Sequence, residues 1–345
     1  MKRLFLFSTL LMLAFIAPAQ VPYSLNNGEP ALIYSLPKTE FCIEVETEKV
    51  TQNPGMFFRY SERYLATKNV VTEEKTTYRL QNIRVKARAI PDPNRTYTFV
   101  PAKNSQTSHI TVNSQGLLCG VNVPCAIEPM KKQEVDLKTV ESPKPSTLLR
   151  LGEEYMMAGS EAKLAEGAAK QIYRIRESRI GLLTADVEHV PADGSSLASM
   201  LEGMNKLEQE MTELFVGKTT KELQTQTIYL VPTAAATNEV LFRISALKGV
   251  VAKDDLGGVP YYISIAPSKI PAATAAKVNK VNALLYSIQP ASTQISIGDG
   301  VNTFFAEQYF VPQFGVTVPL ADELFKQPKL KIYIDSQTGR LLTID

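Results

Sequence analysis

The chain predicts an α+β fold: two antiparallel β-rich regions joined by a long antiparallel helical hairpin, with the C-terminal β region folded as a sandwich. Three features predict it. Residues 30–125 alternate apolar and polar side chains with period 2, residues 161–215 change to a helical period, and the alternation returns from residue 224. Period 2 places alternate side chains on opposite faces of a strand, and a 3.6-residue period places every third or fourth on one stripe of a helix.

The first 19 residues read as a cleaved export leader. Lys2 and Arg3 precede an apolar run, residues 4–16, interrupted only by Ser8 and Thr9, and Ala17-Pro18-Ala19 supplies small residues for cleavage. A run of about 13 residues is too short to anchor a helix across a bilayer. No Cys follows it, so no lipid attachment is expected, and no later apolar run is long enough for a transmembrane helix. The expectation is a protein exported to the periplasm or outer envelope.

The N-terminal β region is expected over residues 20–127. Residues 39–50, 76–90, 95–100 and 109–112 read as strands, rich in β-branched and aromatic residues. Between the first two runs, Met56, Phe57, Tyr60, Arg63 and Tyr64 recur at helical spacing, which predicts a short amphipathic helix against a sheet. Asn113-Ser114-Gln115-Gly116 predicts a hairpin turn. Residues 128–147 are polar, carry Pro143 and Pro145, and read as a linker.

Residues 148–217 hold the predicted hairpin, with helices at 161–186 and 195–215. Ala165, Ala168, Ala169, Ile172 and Ile175 share one face of the first helix. Asp193 can cap the second. There Leu197, Met200, Met204, Leu207, Met211 and Leu214 step by 3, 4, 3, 4 and 3, a coiled-coil seam. Gly217 stops it. Residues 218–345 then read as antiparallel strands at 227–231, 239–247, 261–266, 284–288, 294–297, 303–310, 330–334 and 341–344. The closing turn, Asp335-Ser336-Gln337-Thr338-Gly339-Arg340, resembles the turn at residues 113–116. Duplication of a β module and convergence of polar turns both account for that.

Composition narrows the function classes. A net charge of +2, with basic residues spread along the chain, argues against nucleic acid as a partner. There are two histidines, His109 and His189, and neither stands in a metal-binding or triad spacing. No metal or cofactor is therefore expected. Gly217-Lys218-Thr219 follows a helix, whereas a phosphate-binding loop precedes one. The segments 254–258 and 298–300 lack the alternating acids of a calcium loop. Of three cysteines, Cys42 lies mid-strand as a small apolar residue. Cys119 and Cys125 are the candidate disulfide, and an odd count also fits no disulfide at all.

One charged constellation stands out. Lys170, Arg174, Arg176 and Arg179 cluster at the end of the first long helix, where Arg176 and Arg179 share a face that could hold an anionic partner. The competing reading is a solvated face paired with local acids. Tyr155-Met156-Met157, just before this helix, is adaptable apolar surface.

Leu36-Pro37-Lys38-Thr39, Tyr60-Ser61-Glu62-Arg63-Tyr64-Leu65, the basic stretch 170–179, Pro191-Ala192-Asp193-Gly194 and Thr338-Gly339-Arg340 carry a resemblance. The chain resembles, over most of its length, a family of exported proteins of unknown function from Bacteroidetes. The resemblance implies a Gram-negative envelope setting and supplies no catalytic residues. The expected role is a non-enzymatic interaction or scaffold protein whose partner is an envelope protein or polymer. The alternatives are a glycan- or peptide-binding module with an aromatic-lined concave face, and a hydrolase built on a carboxylate pair.

Overall fold

The computed structural model describes residues 23–24, 30–99, 110–125, 159–184, 186, 193–269, 283–321, 324–325, 327 and 329–345. The leader, the linker at 128–147, His109, His189 and Tyr155-Met156-Met157 lie outside the described residues. The strands are β1 (Tyr23–Ser24), β2 (Pro30–Asn53), β3 (Lys75–Phe99), β4 (Ile110–Val112), β5 (Leu118–Val121), β6 (Lys218–Leu230), β7 (Ala236–Ser245), β8 (Gly249–Val251), β9 (Val259–Pro267), β10 (Ala283–Gly298), β11 (Thr303–Ala321), β12 (Ile332–Ile334) and β13 (Leu341–Ile344). The helices are α1 (Ser61–Leu65), α2 (Glu161–Thr184) and α3 (Gly194–Val216). With 53% of the described residues in strands, the fold is mostly β, and one of its antiparallel sheets curls into a half-barrel.

In the first sheet β2 lies between β3 and β6, and β1 pairs with the start of β2. The second sheet has the order β11-β10-β9-β7-β8 and the third β13-β12-β5-β4. The strands predicted at 76–90 and 95–100 are one strand, β3, and those at 284–288 and 294–297 are one strand, β10. Prolines interrupt each pattern and read as breaks. Here they sit where the ladder is already irregular: the register shifts between Ser35 and Pro37 and between Gln289 and Ala291. A proline costs no ladder hydrogen bond at such a bulge.

These bulges let one strand serve two cores. Before its bulge, β2 contributes Tyr34 and Leu36 to a core shared with Leu118, Val121, Leu285, Ile288, Leu320 and Ile332. After it, Phe41, Ile43 and Val45 enter a second core with Ile83, Phe242, Ile263, Ile295 and Val311. The even-numbered residues face inward first and the odd-numbered ones afterwards, the change of face that a one-residue slip produces.

Both cores therefore draw on strands from either side of the helices, which corrects the expectation of two separate β units. β6 completes the first sheet beside β2, and Ile332 of β12 pairs with Val121 of β5. Nor do the C-terminal strands make a sandwich of their own. The second sheet is covered by Phe41, Ile43, Val45, Ile83 and Val85 of the first. Strand patterns reveal which face is buried but not which sheet buries it.

Candidate functional site

The site is built on α2 and α3. Asp193 starts α3 by accepting hydrogen bonds from the backbone N–H groups of Ser195 (2.8 Å) and Ser196 (3.2 Å). The Ser196 and Ser195 hydroxyls reinforce the cap, and together these donors hold the Asp193 carboxyl down at about 2. Gly217 ends the helix with φ +85°, and its N–H bonds to the Glu213 carbonyl at 3.0 Å.

A third core joins the helices at one end. Ala165, Ala168, Ala169, Ile172 and Ile175 of α2 pack with Met211 and Phe215 of α3 and with Phe57, whose ring centre is 5.5 Å from that of Phe215. Tyr60 and Tyr64 rest on the same core, so α1 packs on the helices, where a sheet was expected. Phe57 N–H also bonds to the Leu214 carbonyl at 2.7 Å.

The charged cluster divides. Arg176 Nε binds one carboxylate oxygen of Glu208 at 2.6 Å, and Arg179 binds the other together with Asn205 Oδ1 (2.7 Å). Burial pushes the Glu208 carboxyl up, but the hydrogen bond and charge of Arg176 and the charge of Arg179 outweigh it and leave the group below the usual carboxylate range. Lys170 pairs with Glu166 one turn away at 2.7 Å. Arg174 is exposed. Arg176 and Arg179 thus act as clamps between helices, and the acid that occupies them, Glu208, flanks the predicted seam.

Beside this clamp lies an open groove of about 480 Å³, lined by Arg176, Asn205, Glu208, Gln209, Glu213 and Lys218 among others. Gln209 Nε2 donates to Glu213 at 3.1 Å, and Lys218 lies 3.8 Å from the same carboxylate. Polar donors and acceptors line it, and most have protein partners. A second open groove, about 540 Å³, adjoins Glu239, Arg243, Lys253 and Asp254. Asp255, next to it, accepts the Gly257 N–H at 2.9 Å and pairs with Lys248 at 3.1 Å, as a turn residue does.

Away from the core end, the helices expose apolar surface. Ile180 is 59% exposed, Leu183 64% and Met200 46%. Of the predicted seam only Met211 is fully buried, while Met204, Leu207 and Leu214 are half-buried against the third core. The seam spacing marked the stripe from Met204 to Leu214 but missed Phe215, which is fully buried, and Leu197 and Met200 do not join the core. It carried no signal for where along the stripe the packing partner ends.

Cys119 and Cys125 form a disulfide with Cα atoms 5.4 Å apart. Cys42 is free and half-buried, and burial raises its thiol above the ordinary range, which disfavours the reactive thiolate. Among the described residues no three His, Cys, Asp or Glu side chains are grouped to hold a metal ion, and no helix is long and apolar enough to cross a membrane.

A domain of unknown function, DUF4831, matches residues 31–342. The chain belongs to the DUF4831 family. The match begins at the start of β2 and ends within β13, so the family's shared unit includes all three cores and the helix pair. No curated protein and no solved structure matches the chain.

Proposed function

We propose that this DUF4831 protein is an exported, non-enzymatic interaction or scaffold protein of the cell envelope, with α2 and α3 serving as a hairpin-like arm that docks a partner. The observation that carries this reading is the asymmetry of the helix pair. One end is fixed by Phe57, Met211 and Phe215, and the other carries Ile180, Leu183 and Met200 in solvent. Exposed large apolar side chains grouped on one element mark contact surfaces more often than scattered ones do. The arginines support a holding role: Arg176 and Arg179 are bound to Glu208, which stiffens the arm and leaves neither free for an anion. A carboxylate held low by two arginines also suits a structural anion better than a general acid.

Two measurements test the reading. N-terminal sequencing of protein from the envelope fraction should begin just after Ala19; full-length protein in the cytoplasm sinks the export half. Crosslinking in envelope extracts should give an adduct with the natural chain that Ile180→Glu/Leu183→Glu loses while its melting temperature stays unchanged. Identical adducts from both proteins would remove the arm from the proposal.

A further inference from the structure

The first sheet ends in a bare strand. β6 pairs with β2 from Phe41–Leu230 to Asn53–Lys218 without a register shift, and among the described residues nothing pairs with its other edge. Proteins usually blunt such edges with lysines, prolines or bulges. The charges at its start are engaged: Lys218 by Glu213 of α3 at 3.8 Å, Lys221 by Glu48 of β2 at 3.6 Å and Glu222 by Lys49 of β2 at 4.0 Å. After them, Leu223-Gln224-Thr225-Gln226-Thr227-Ile228-Tyr229-Leu230 has no charge, no proline and no glycine. Residues 221–227 are exposed whichever face they point to, so both faces of the strand are open there.

The backbone direction can be read from side chains. Thr220 Oγ1 reaches the Thr51 carbonyl and Thr47 Oγ1 the Gln224 carbonyl, each from the residue directly opposite. Those carbonyls point into the β2–β6 seam. Antiparallel ladders alternate, so the even-numbered residues of β6 bond to β2, and Leu223, Thr225, Thr227 and Tyr229 direct their N–H and C=O groups outward.

We propose that a second copy of this chain fills the edge, with β6 pairing antiparallel to β6 across a two-fold axis at Gln226. Self-complementarity argues for a copy over any other strand. This register sets Leu223 (55% exposed) opposite Tyr229 of the second copy (54% exposed), and Thr225 opposite its Thr227. Both apolar side chains gain a cross-strand partner, and β-branched side chains pair between them. All these residues are outward-bonding, so each pair exchanges both hydrogen bonds. Glu222 meets Leu230, and no like charges face each other. An isologous contact of this kind closes after two copies and uses up both β6 edges. The two first sheets become one continuous sheet.

Sedimentation equilibrium should show a reversible, concentration-dependent dimer. Thr225→Pro removes an outward N–H while sparing the β2 ladder, so it should return the protein to monomer at an unchanged melting temperature. In a Cys42→Ser background, Gln226→Cys should give a disulfide-linked dimer on mild oxidation, because directly opposed, non-hydrogen-bonded residues lie about 4.5 Å apart. Gln224→Cys, which would face Ile228, should not. A monomer at the highest soluble concentration overturns the proposal, as does a dimer that survives Thr225→Pro or equal crosslinking by the two cysteine variants. If Thr225→Pro fails to fold, the cysteine pair decides the register by itself.

Discussion

Gly120, between the disulfide cysteine Cys119 and the buried Val121, shows how far a single residue is committed. A Cβ there would stand 2.1 Å from the Ile332 carbonyl oxygen and 2.5 Å from a Val123 methyl. β5 and β12 can approach only because the side chain is missing. Gly120→Ala is expected to cost at least about 2 kcal/mol, since both backbones would have to separate. A urea midpoint equal to that of the natural chain would show that the strands have slack. The cysteine spacing pointed to this region as a place where the chain turns back. The glycine's closeness to β12, some two hundred residues onward, left no mark in the local pattern.

The helix pair makes two predictions at the scale of elements. Leu207 is half-buried against the third core. Leu207→Asp should cost roughly 2 kcal/mol or more, by placing a carboxylate among apolar neighbours. A melting temperature within a degree or two of the natural chain would mean that Leu207 faces solvent. Glu208 makes the pair sensitive to acid. Its folded carboxyl is held below its ordinary, unfolded value. The stabilisation is therefore complete above the unfolded value, about 4.3, and fades as pH falls through the folded one. Glu208→Gln should lower stability by about 1 kcal/mol at pH 7, and the gap should close as pH drops toward 3. Urea melts of both proteins across that range check it, and a constant gap would assign the loss to packing. The 3,4 spacing made this stripe legible, and the basic cluster was visible too. Its role was not, because the ion pairing depends on which turn of α3 meets which turn of α2.

At the scale of the whole molecule, the junction between the two β cores is polar and matched. Thr39, almost fully buried just after the β2 bulge, gives its N–H to Gln313 Oε1 and accepts from Gln313 Nε2, both at 2.9 Å. Arg95 Nη1 donates to the Pro312 carbonyl at 2.9 Å. Gly339, in the closing turn, offers its carbonyl to the Ile288 N–H at 2.7 Å, and Gln337 Oε1 accepts the Ala89 N–H at 3.1 Å. The backbone groups of Thr39, Ile288 and Ala89 lie past the ends of β6 and β9, or on the outer edge of β3, where no strand pairs with them, and side chains and a turn from distant segments satisfy them. Gln313→Leu should cost about 1–3 kcal/mol by stranding both groups of Thr39. Hydrogen exchange should show lost protection at Thr39 while β9 stays protected. Unchanged exchange there would mean that water replaces the glutamine without loss.

The alternation of residues 39–50, the stripe from Met204 to Leu214, the Asp193 cap and the Gly217 stop were all determined locally. Each depends on side chains within one or two turns, or one strand, of each other, and the backbone responds to them wherever the segment lies. The tertiary structure decided the rest. It made β2 and β10 bend through their prolines, set β6 beside β2, joined β12 to β5 and brought Glu208 to two arginines. Each of these joins residues far apart in the chain, and a pattern that says only that a face must be buried is equally satisfied by many partners. Burial of both cores, and pairing of the backbone groups left beyond the strand ends, select among those partners.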